Sequence, residues 1–222
     1  MLRVDRPGPA SAAEFHGRAV DRSDDVRLWW CEPSRPALVL GSTQSVDLVR
    51  TDRCRERGIE VVERRSGGGA VFVSSQHTLW ADVILPASHR AWNVDVGRAS
   101  EWVGERWLEA MQECDIVDHF TLHRGAMVAS EWSRLVCFAG RGPGEIFDSL
   151  GRKVLGVSQR RTKDWARFQC AVSLHWEPAA FVDVFRDDAL TVEAVAHDGY
   201  SFDRPVDTER LAAALATVLS AV

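Results

Sequence analysis

A run of three glycines at residues 67–69 constrains the fold of this 222-residue chain more than any other feature. The run follows a segment that alternates like a half-buried strand, residues 59–63, and precedes a second apolar segment, residues 70–73. Without Cβ atoms the backbone can adopt positive φ angles, and its N–H groups can converge on a ligand. Arg64 and Arg65 stand immediately before the glycines and add fixed positive charge. The pattern therefore predicts a loop that holds a phosphate or a carboxylate; a flexible turn in solvent is the alternative.

Lysine is rare in this chain, which has 27 basic residues and only two lysines, Lys153 and Lys163. Coding bias towards arginine explains why lysine is rare in the chain as a whole. A retained lysine also indicates a position that needs a compact ammonium group or a titratable amine. Lys153 begins a predicted strand, residues 153–160, on which it shares a face with Leu155 and Val157. A lysine on an apolar face needs an anionic partner or a ligand. The alternative is a lysine at a strand end whose amine reaches water.

Cys137 leaves a predicted strand, residues 134–138, and enters a loop rich in glycine and proline. A cysteine in such a place can be exposed, and a nearby cation would favour its thiolate. Cys137 is therefore a candidate nucleophile, with an inert core cysteine as the alternative. The chain has five cysteines, an odd number without a C-x-x-C pair, which argues against a disulfide framework or a zinc site. The histidines also lack metal-ligand spacing, so we expect no metal site from these residue types.

Composition and charge exclude several classes of protein. Apolar residues make up 45% and charged residues 27% of the chain, values typical of a folded globular protein. The net charge of −5 lacks the basic excess of nucleic-acid-binding proteins. The apolar runs are too short to cross a bilayer, and the N-terminal residues lack the apolar segment of a signal peptide. We therefore expect a cytoplasmic protein that binds neither nucleic acid nor membranes.

The order of predicted elements favours an α+β fold, because strands occur in hairpin-like groups with helices between them. Helix patterns span residues 95–114, 178–185 and 208–222. Strand patterns span residues 26–32, 37–41, 59–63, 70–73, 78–85, 127–130, 134–138, 145–148, 153–160 and 168–176. No repeat or long linker divides the chain, so we expect a single catalytic domain over residues 1–222 without an accessory domain. Residues 1–24 would form its N-terminal segment, and residues 177–222 would form C-terminal helices packed on it.

Three segments of the chain resemble the biotin/lipoate protein ligase family, and within it the lipoate–protein ligases and octanoyltransferases most closely. Residues 64–72 are similar to its arginine-rich triple-glycine motif, residues 151–159 to its catalytic-lysine segment, and residues 37–44 to the Gly-x-x-Gln element before the first helix. The resemblance covers residues 26–176. It implies a mixed, mostly antiparallel sheet flanked by helices, like the catalytic domains of class II aminoacyl-tRNA synthetases and biotin–lipoate ligases.

The resemblance also implies a site. Lys153 would lie beside the acyl carbonyl and stabilise the negative charge that develops when a lysine of a lipoyl domain attacks. The glycine loop and Lys153 would flank a tunnel for an octanoyl-length chain, with Arg64 and Arg65 as alternatives for the ligand contact. The residues expected to bind the acyl group or an acyl-adenylate are Arg64, Arg65, Ser66, Gly67, Gly68, Gly69, Ala70, Val71, Gly156, Val157 and Ser158.

Three positions depart from the family's pattern. Residues 73–74 are Val-Ser where the ligases have His-Asp, and residues 169–170 are Gln-Cys where they have His-Gly. Residues 144–145, Gly-Glu, replace the Asn-Asp pair that the ligases use for nucleotide and magnesium. Glu145 therefore becomes the candidate for the nucleotide or metal side of the site.

The implied function is the attachment of a lipoyl or octanoyl group to a lysine of a lipoyl-domain protein. The leading expectation is an ATP-dependent lipoate–protein ligase that uses ATP, Mg²⁺ and lipoate or octanoate. The alternative is an octanoyltransferase that needs no cofactor, because residues 137–146 are similar to the Cys-Phe, Pro and Glu-Ile segment that supplies the acyl-thioester nucleophile in one class of these enzymes. A third alternative, of another class, is a non-catalytic acyl-binding relative.

Partners follow from the same resemblance. The expected acceptor is a lipoyl-domain protein, either an E2 subunit or the glycine cleavage H protein, and for a transferase the donor would be acyl carrier protein. Arg160, Arg161 and Arg167 lie close to Lys163 in the sequence and form a basic cluster that could contact an acidic surface on such a partner. A solvated surface is the alternative for this cluster.

Overall fold

A computed structural model describes residues 1–116 and 119–221. Within these residues the chain forms ten strands and four α-helices, joined by loops and short 3₁₀ turns. The strands are β1 (Leu2–Asp5), β2 (Val26–Cys31), β3 (Ala37–Leu40), β4 (Glu60–Glu63), β5 (Val71–Val73), β6 (Thr78–Pro86), β7 (Thr121–Leu122), β8 (Ile146–Phe147), β9 (Lys153–Arg161) and β10 (Trp165–Ser173). The helices are α1 (Ala12–Gly17), α2 (Thr51–Glu56), α3 (Val96–Glu113) and α4 (Thr208–Ser220).

The described strands form two sheets. The larger sheet has seven strands in the order β1-β2-β6-β10-β9-β8-β7. Strand β1 runs parallel to β2, and the other neighbouring pairs of this sheet are antiparallel. The smaller sheet has the order β4-β3-β5, with β4 parallel and β5 antiparallel to β3. The predicted α+β class with a mixed, mostly antiparallel sheet is confirmed.

Helices α3 and α4 cover one face of the larger sheet. Asp95 caps α3 by accepting a hydrogen bond from the backbone N–H of Arg98, and the helix matches its predicted span to within a residue at each end. Trp107 of α3, Leu215 of α4 and Phe168 of β10 are fully buried in one apolar core. Among the described residues, no helix is long and apolar enough to span a bilayer.

The opposite face of the larger sheet packs against the smaller sheet and α1. Because side chains alternate along a strand, the residues between those that face α3 point to this side. Trp80 and Ile84 of β6 share a core with Val39 of β3 and with Phe15 of α1. The layers are therefore helices, seven-stranded sheet and three-stranded sheet.

The C-terminal region contains less helix than predicted. The predicted helix at residues 178–185 is replaced by two 3₁₀ turns, Pro178–Ala180 and Val182–Val184. Helical geometry is interrupted at Phe181, whose φ of −141° lies outside the helical range. The Phe181 ring stacks on Phe72 with a centroid distance of 5.6 Å. Aromatic packing therefore prevails over local helix propensity, and α4 is the one predicted C-terminal helix that forms.

The segment around the candidate nucleophile also differs from its prediction. Residues 134–138 do not form a strand, and Cys137–Ala139 is a 3₁₀ turn. The segment instead makes a single parallel bridge between Val136 and Ala70. Residues 127–130 likewise form no strand. The reason is that each segment makes only one isolated bridge, Val136 with Ala70 and Val128 with Arg141, rather than a continuous ladder with a neighbouring strand.

A buried ion pair ties α1 to the larger sheet. Arg167 of β10 donates from Nε to Oδ2 of Asp82 on β6 at 2.7 Å, and both side chains are buried. Trp80 donates to the other oxygen of Asp82 at 2.8 Å, and Arg167 also donates to the carbonyl oxygen of Phe15 at 2.6 Å. Arg167 is therefore inside the protein, so its assignment to an exposed basic cluster is wrong. A cation on the inner face of a strand requires oxygen atoms there.

Replacing Asp82 with alanine would leave the Arg167 charge buried without its carboxylate. We expect the free energy of unfolding to fall by about 3–5 kcal/mol. Glu209→Ala, which removes an exposed ion pair with Arg6, is the control and should change stability little. Urea unfolding followed by tryptophan fluorescence measures both variants. Equal losses in the two variants would contradict the role given to the buried pair.

Candidate functional site

A narrow, mostly apolar cleft lies between the larger and the smaller sheet, with an empty volume of about 420 Å³. Its walls come from β9 and β10 on one side, from β3 and β5 on the other, and from the segments that carry the arginine and cysteine candidates. The predicted site residues in the wall of the cleft are Arg64, Val71, Cys137, Gly156, Val157 and Ser158. The predicted site residues that lie around the cleft but outside its wall are Arg65, Ser66, Gly67, Gly68, Gly69, Ala70, Glu145 and Lys153.

Arg64 points inward and organises the glycine loop. Its guanidinium donates to the carbonyl oxygens of Gly67 at 2.7 Å, of Gly69 at 2.9 Å and of Val39 at 3.3 Å. The side chain is 3% exposed, and its Nε has no hydrogen-bond partner among the described residues. Arg65, by contrast, is exposed to solvent. Of the two arginines, Arg64 is therefore the one placed to contact a ligand in the cleft.

Glycine is required at positions 41, 68 and 69 because backbone lies close to backbone or adopts a positive φ there. A Cβ on Gly41 would lie 1.9 Å from the carbonyl oxygen of Gly68, and a Cβ on Gly69 would lie 2.7 Å from the carbonyl oxygen of Ser133. Gly68 itself has a φ of +102°, which other residues rarely adopt. The loop is thus packed between β3 and the turn at Cys137, so it is not a flexible turn in solvent.

Lys153 is almost fully buried, at 1% exposure, and forms an ion pair with Glu145 at 2.7 Å. Its Nζ also donates to the carbonyl oxygen of Cys137 at 2.7 Å. The expected anionic partner of this lysine is therefore confirmed. The resemblance implied that the ammonium group lies beside the acyl carbonyl. In the structure it binds protein oxygens and is not in the wall of the cleft.

Cys137 is the one cysteine of the five that is not buried, and all five lie in the described part of the chain. Its sulfur lies 4.0 Å from the position that a Cβ on Gly68 would take, so it borders the glycine loop. Lys153 reaches the backbone carbonyl of Cys137. The 3₁₀ turn at this point is held from two sides, by Lys153 and by the hydrogen bond from the Cys137 N–H to the Ala70 carbonyl at 2.8 Å.

A hydrogen-bonded series of polar side chains, from Ser66 to His16, borders the cleft. Ser66 lies 3.0 Å from the hydroxyl of Ser158 and donates to Oε1 of Gln169 at 3.0 Å. The Gln169 amide in turn lies 2.8 Å from Nδ1 of His16. Burial, together with the positive charges of Arg167 and Arg64, lowers the pKa of His16 to about 3. The imidazole is therefore neutral near neutral pH.

Several residues of the cleft are absent from the sequence prediction. From the sequence, Gln169 was identified only as a departure from the family pattern. Its position in a predicted strand was the one sequence feature that could have placed it in the cleft wall. His16 comes from the N-terminal helix, far from the motifs, and no sequence pattern marks it. The other wall residues that sequence reasoning missed are Val39, Val73, Trp80, Phe138, Cys170 and Ala171. They are ordinary strand or turn residues that the packing of the two sheets brings together.

Residues 12–210 match the family described as the lipoyl protein ligase A/B catalytic domain. The chain belongs to this family. The match includes the glycine loop, the lysine segment and the candidate cysteine, and it confirms the family resemblance stated from the motifs. Membership of the lipoyl ligase family and the fold together support lipoate–protein ligation or transfer as the general activity.

Solved structures show the same fold at low sequence identity. A Thermoplasma acidophilum protein with bound lipoic acid is 15% identical with a TM-score of 0.69, over 94% of this chain and 77% of its own. The bipartite lipoate protein ligase of the same organism, described with its E2 lipoyl domain, has a TM-score of 0.73 at 15% identity, over 100% of this chain and 83% of its own. A lipoate-protein ligase A bound with ATP has a TM-score of 0.69 at 14% identity, over 99% of this chain and 83% of its own. None of the curated proteins matches the chain significantly in sequence.

The donor set does not fit a magnesium ion in this arrangement. Residues 1–116 and 119–221 contain no group of three or more histidine, cysteine, aspartate or glutamate side chains placed to hold a metal. Mg²⁺ can bind through one or two carboxylates together with phosphates, and Glu145 is the carboxylate predicted for this role. Its oxygens already accept from the N–H groups of Gly142 and Val157 and from Lys153. Glu145 is thus a partner of the lysine rather than a free metal ligand.

Gly69→Ala would push a methyl group into the backbone of the neighbouring turn. We expect a loss of about 1–3 kcal/mol in the free energy of unfolding, together with weaker binding of octanoate. Gly67→Ala is the matched control in the same loop, because a Cβ there meets no atom within 4 Å. Thermal unfolding and calorimetric titration with octanoate measure the two effects. The packed-loop description fails if both variants behave like the wild type.

Proposed function

We propose that this protein transfers an octanoyl or lipoyl group to a lysine of a lipoyl domain, and that Cys137 carries the acyl group as a thioester. The observation that carries the proposal is that the one unburied cysteine borders an apolar cleft between the two sheets. An alkyl chain attached to that sulfur has the cleft beside it. Membership of the lipoyl ligase family supports the same class of reaction.

The cleft can supply much of the binding energy for an octanoyl chain. Val39, Val71, Val73 and Trp80 give it apolar walls. Burial of seven methylene-sized groups at about 0.8 kcal/mol each contributes roughly 5–6 kcal/mol. The loss of translational and rotational freedom offsets part of this contribution. The chain would therefore be held mainly by apolar contact, and polar groups would act at its carbonyl end.

The proposed reaction has two steps. In the first step the Cys137 sulfur attacks the carbonyl carbon of an acyl thioester, a carbon–sulfur bond to Cys137 forms, and the bond to the donor sulfur breaks. The thiol proton of Cys137 ends on the released donor thiol. In the second step the neutral amine of the acceptor lysine attacks the thioester, a carbon–nitrogen bond forms, and the carbon–sulfur bond breaks. A proton of the amine returns to the Cys137 sulfur.

Lys153 acts in this proposal as a positioning residue for Cys137. Its Nζ binds the Cys137 carbonyl oxygen and Glu145, and the rings of Phe138 and Phe147 lie 5.4 and 5.8 Å from it. The ammonium group therefore holds the turn that presents the thiol. The direct contact with the acyl carbonyl that the resemblance implied stays a prediction.

ATP-dependent ligation is the second candidate function. It is favoured by the shared fold with a lipoate-protein ligase A that binds ATP and by positive charge beside the glycine loop. Burial, followed by the charges of Arg65 and Arg167, lowers the pKa of Arg160, so an anion is electrostatically favoured there. Arg65 and Arg160 would hold the phosphates, and ATP would supply the leaving group that activates the carboxylate. The occupied oxygens of Glu145 weigh against this candidate.

The proposed acceptor is the lysine of a lipoyl domain, as in an E2 subunit or the glycine cleavage H protein. The bipartite ligase of Thermoplasma acidophilum is described with its E2 lipoyl domain, and this supports an acceptor of the same kind here. For the thioester route, the proposed donor is octanoyl acyl carrier protein. We also propose that the protein works in the cytoplasm.

A paired assay tests the thioester route. The purified protein is incubated with a lipoyl domain and either octanoyl acyl carrier protein without ATP, or octanoate with ATP and Mg²⁺. We expect acylation in the first mixture, and intact-protein mass spectrometry should show an octanoyl adduct that Cys137→Ser abolishes. Cys114→Ala, which changes a buried cysteine, is the control and should keep the adduct.

The assay separates the alternatives. Acylation only with ATP, without an adduct, would replace the thioester route by ligation. The absence of both activities, with octanoate binding retained, would indicate a non-catalytic acyl-binding protein.

The other lysine of the chain provides a matched control for Lys153. Lys153→Met removes the hydrogen bond to the Cys137 carbonyl, and we expect transfer to slow by about 100-fold because the thiol is misplaced. Lys163→Met changes an exposed lysine and should leave the rate unchanged. Lys153→Met leaves the buried carboxylate of Glu145 without its cation, and Glu145→Gln removes that charge. The unfolding temperature of the double variant should therefore recover while transfer stays slow. Full turnover by the double variant would show that the ammonium group serves stability alone.

A further inference from the structure

The cleft and a groove on the protein surface meet at one side chain, His16 of α1. The groove lies between α1 and β4 and has an empty volume of about 900 Å³. His16 is in the wall of both spaces, so its imidazole separates the cleft from the groove. Val46, Val61 and Val62 form an apolar part of its wall, and Glu63 and Arg65 form a charged part.

His16 lies towards the end of the cleft that is remote from Phe138. The Phe138 ring lies 3.4 Å from the position of a Cβ on Gly156, and Gly156 pairs with Ala171 of β10. The His16 ring pairs instead with Gln169, at 2.8 Å. The two strand positions are about 7 Å apart. Cys137 and His16 both lie in the wall of the cleft, and the Cys137 sulfur borders the glycine loop.

The His16 ring is held in place and carries no charge near neutral pH. Its Nδ1 pairs with Gln169, and its ring lies against Trp80 with a centroid distance of 4.8 Å. The helix that bears it is fixed by a capping box between Ser11 and Glu14. A neutral, fixed ring can contact the end of an alkyl chain without the desolvation cost of a charged group.

We propose that His16 sets the maximum length of the acyl chain that the cleft accepts. This inference rests on the proposed function, because it takes the carbonyl carbon to be at Cys137. From there the chain extends along β10 towards Gln169 and ends against the imidazole. A longer chain needs the space that His16 occupies, and beyond that space lies the groove with its valine wall. The substrate class is therefore a medium-chain acyl group whose length limit depends on one side chain.

The test compares the wild type with His16→Ala in two assays. Calorimetry measures the binding of free fatty acids from hexanoate to dodecanoate, and the transfer assay uses the corresponding acyl carrier protein thioesters. In His16→Ala the cleft continues into the groove, so decanoate should bind about 15-fold more tightly than to the wild type, the gain from two further buried methylenes. The preferred chain length in transfer should increase by the same two carbons.

Two further variants separate chain length from other effects. His16→Phe restores a ring of similar size without the hydrogen bond to Gln169, and it should keep the length limit of the wild type. Gly17→Ala changes the exposed neighbour of His16, where a Cβ meets no atom within 4 Å, and it should change nothing. If His16→Ala does not fold, His16→Ser replaces it in both assays.

The outcomes distinguish this inference from the proposed function. An unchanged length profile in a folded His16→Ala or His16→Ser variant would overturn the inference while acyl transfer by the wild type stands. Loss of the length limit in His16→Phe as well would also overturn it, because the hydrogen bond rather than the ring volume would then be responsible. If the wild type binds fatty acids but transfers none, the proposed function fails and the binding series still decides the length limit. A wild type that neither binds fatty acids nor transfers an acyl group would overturn both.

Discussion

Three buried cations organise this structure, because each must find oxygen atoms inside the protein. Arg64, Lys153 and Arg167 are each no more than 3% exposed. Arg64 gathers the carbonyl groups of the glycine loop, Lys153 joins the turn at Cys137 to a buried glutamate, and Arg167 joins helix α1 to an aspartate on β6. Each cation therefore fixes a segment that lies outside the strands: a loop, a turn or a short helix.

The three segments fixed in this way border the cleft between the two sheets. The glycine loop, the turn with Cys137 and the helix with His16 all meet there, although they lie far apart in the sequence. The guanidinium of Arg64 and the Cys137 side chain lie in the wall of this apolar space, while Lys153 and Arg167 bind protein oxygens outside it. An apolar space beside a cysteine held in a fixed turn is the arrangement on which the proposed acyl transfer rests.

Local patterns predicted part of the structure around the candidate site. The triple glycine predicted a structured loop that holds an anion; the loop is packed against β3 and the turn at Cys137, and the anion stays a prediction. The apolar face around Lys153 left open an anionic partner, a ligand or an amine that reaches water, and the structure shows an ion pair with a buried glutamate. That the partner is Glu145, assigned from the motif to a nucleotide or metal, could not be inferred, because it depends on how two segments cross. The 3₁₀ turn at Cys137 was missed for a similar reason, since its backbone pairs with the glycine loop.

Side-chain periodicity, turn residues and motif spacing are properties of neighbouring residues, and the chain alone was therefore enough to predict its α+β class and its family resemblance. Strand order and register were not accessible in this way, because they arise from contacts between residues far apart in the sequence. Those contacts decided that Arg167 is buried with Asp82, that Lys153 holds the Cys137 carbonyl, and that His16 of the N-terminal helix closes a cleft formed by much later strands. The partners of a buried charge and the residues of a cavity wall are those that the packing brings together, and only the folded chain determines which residues these are.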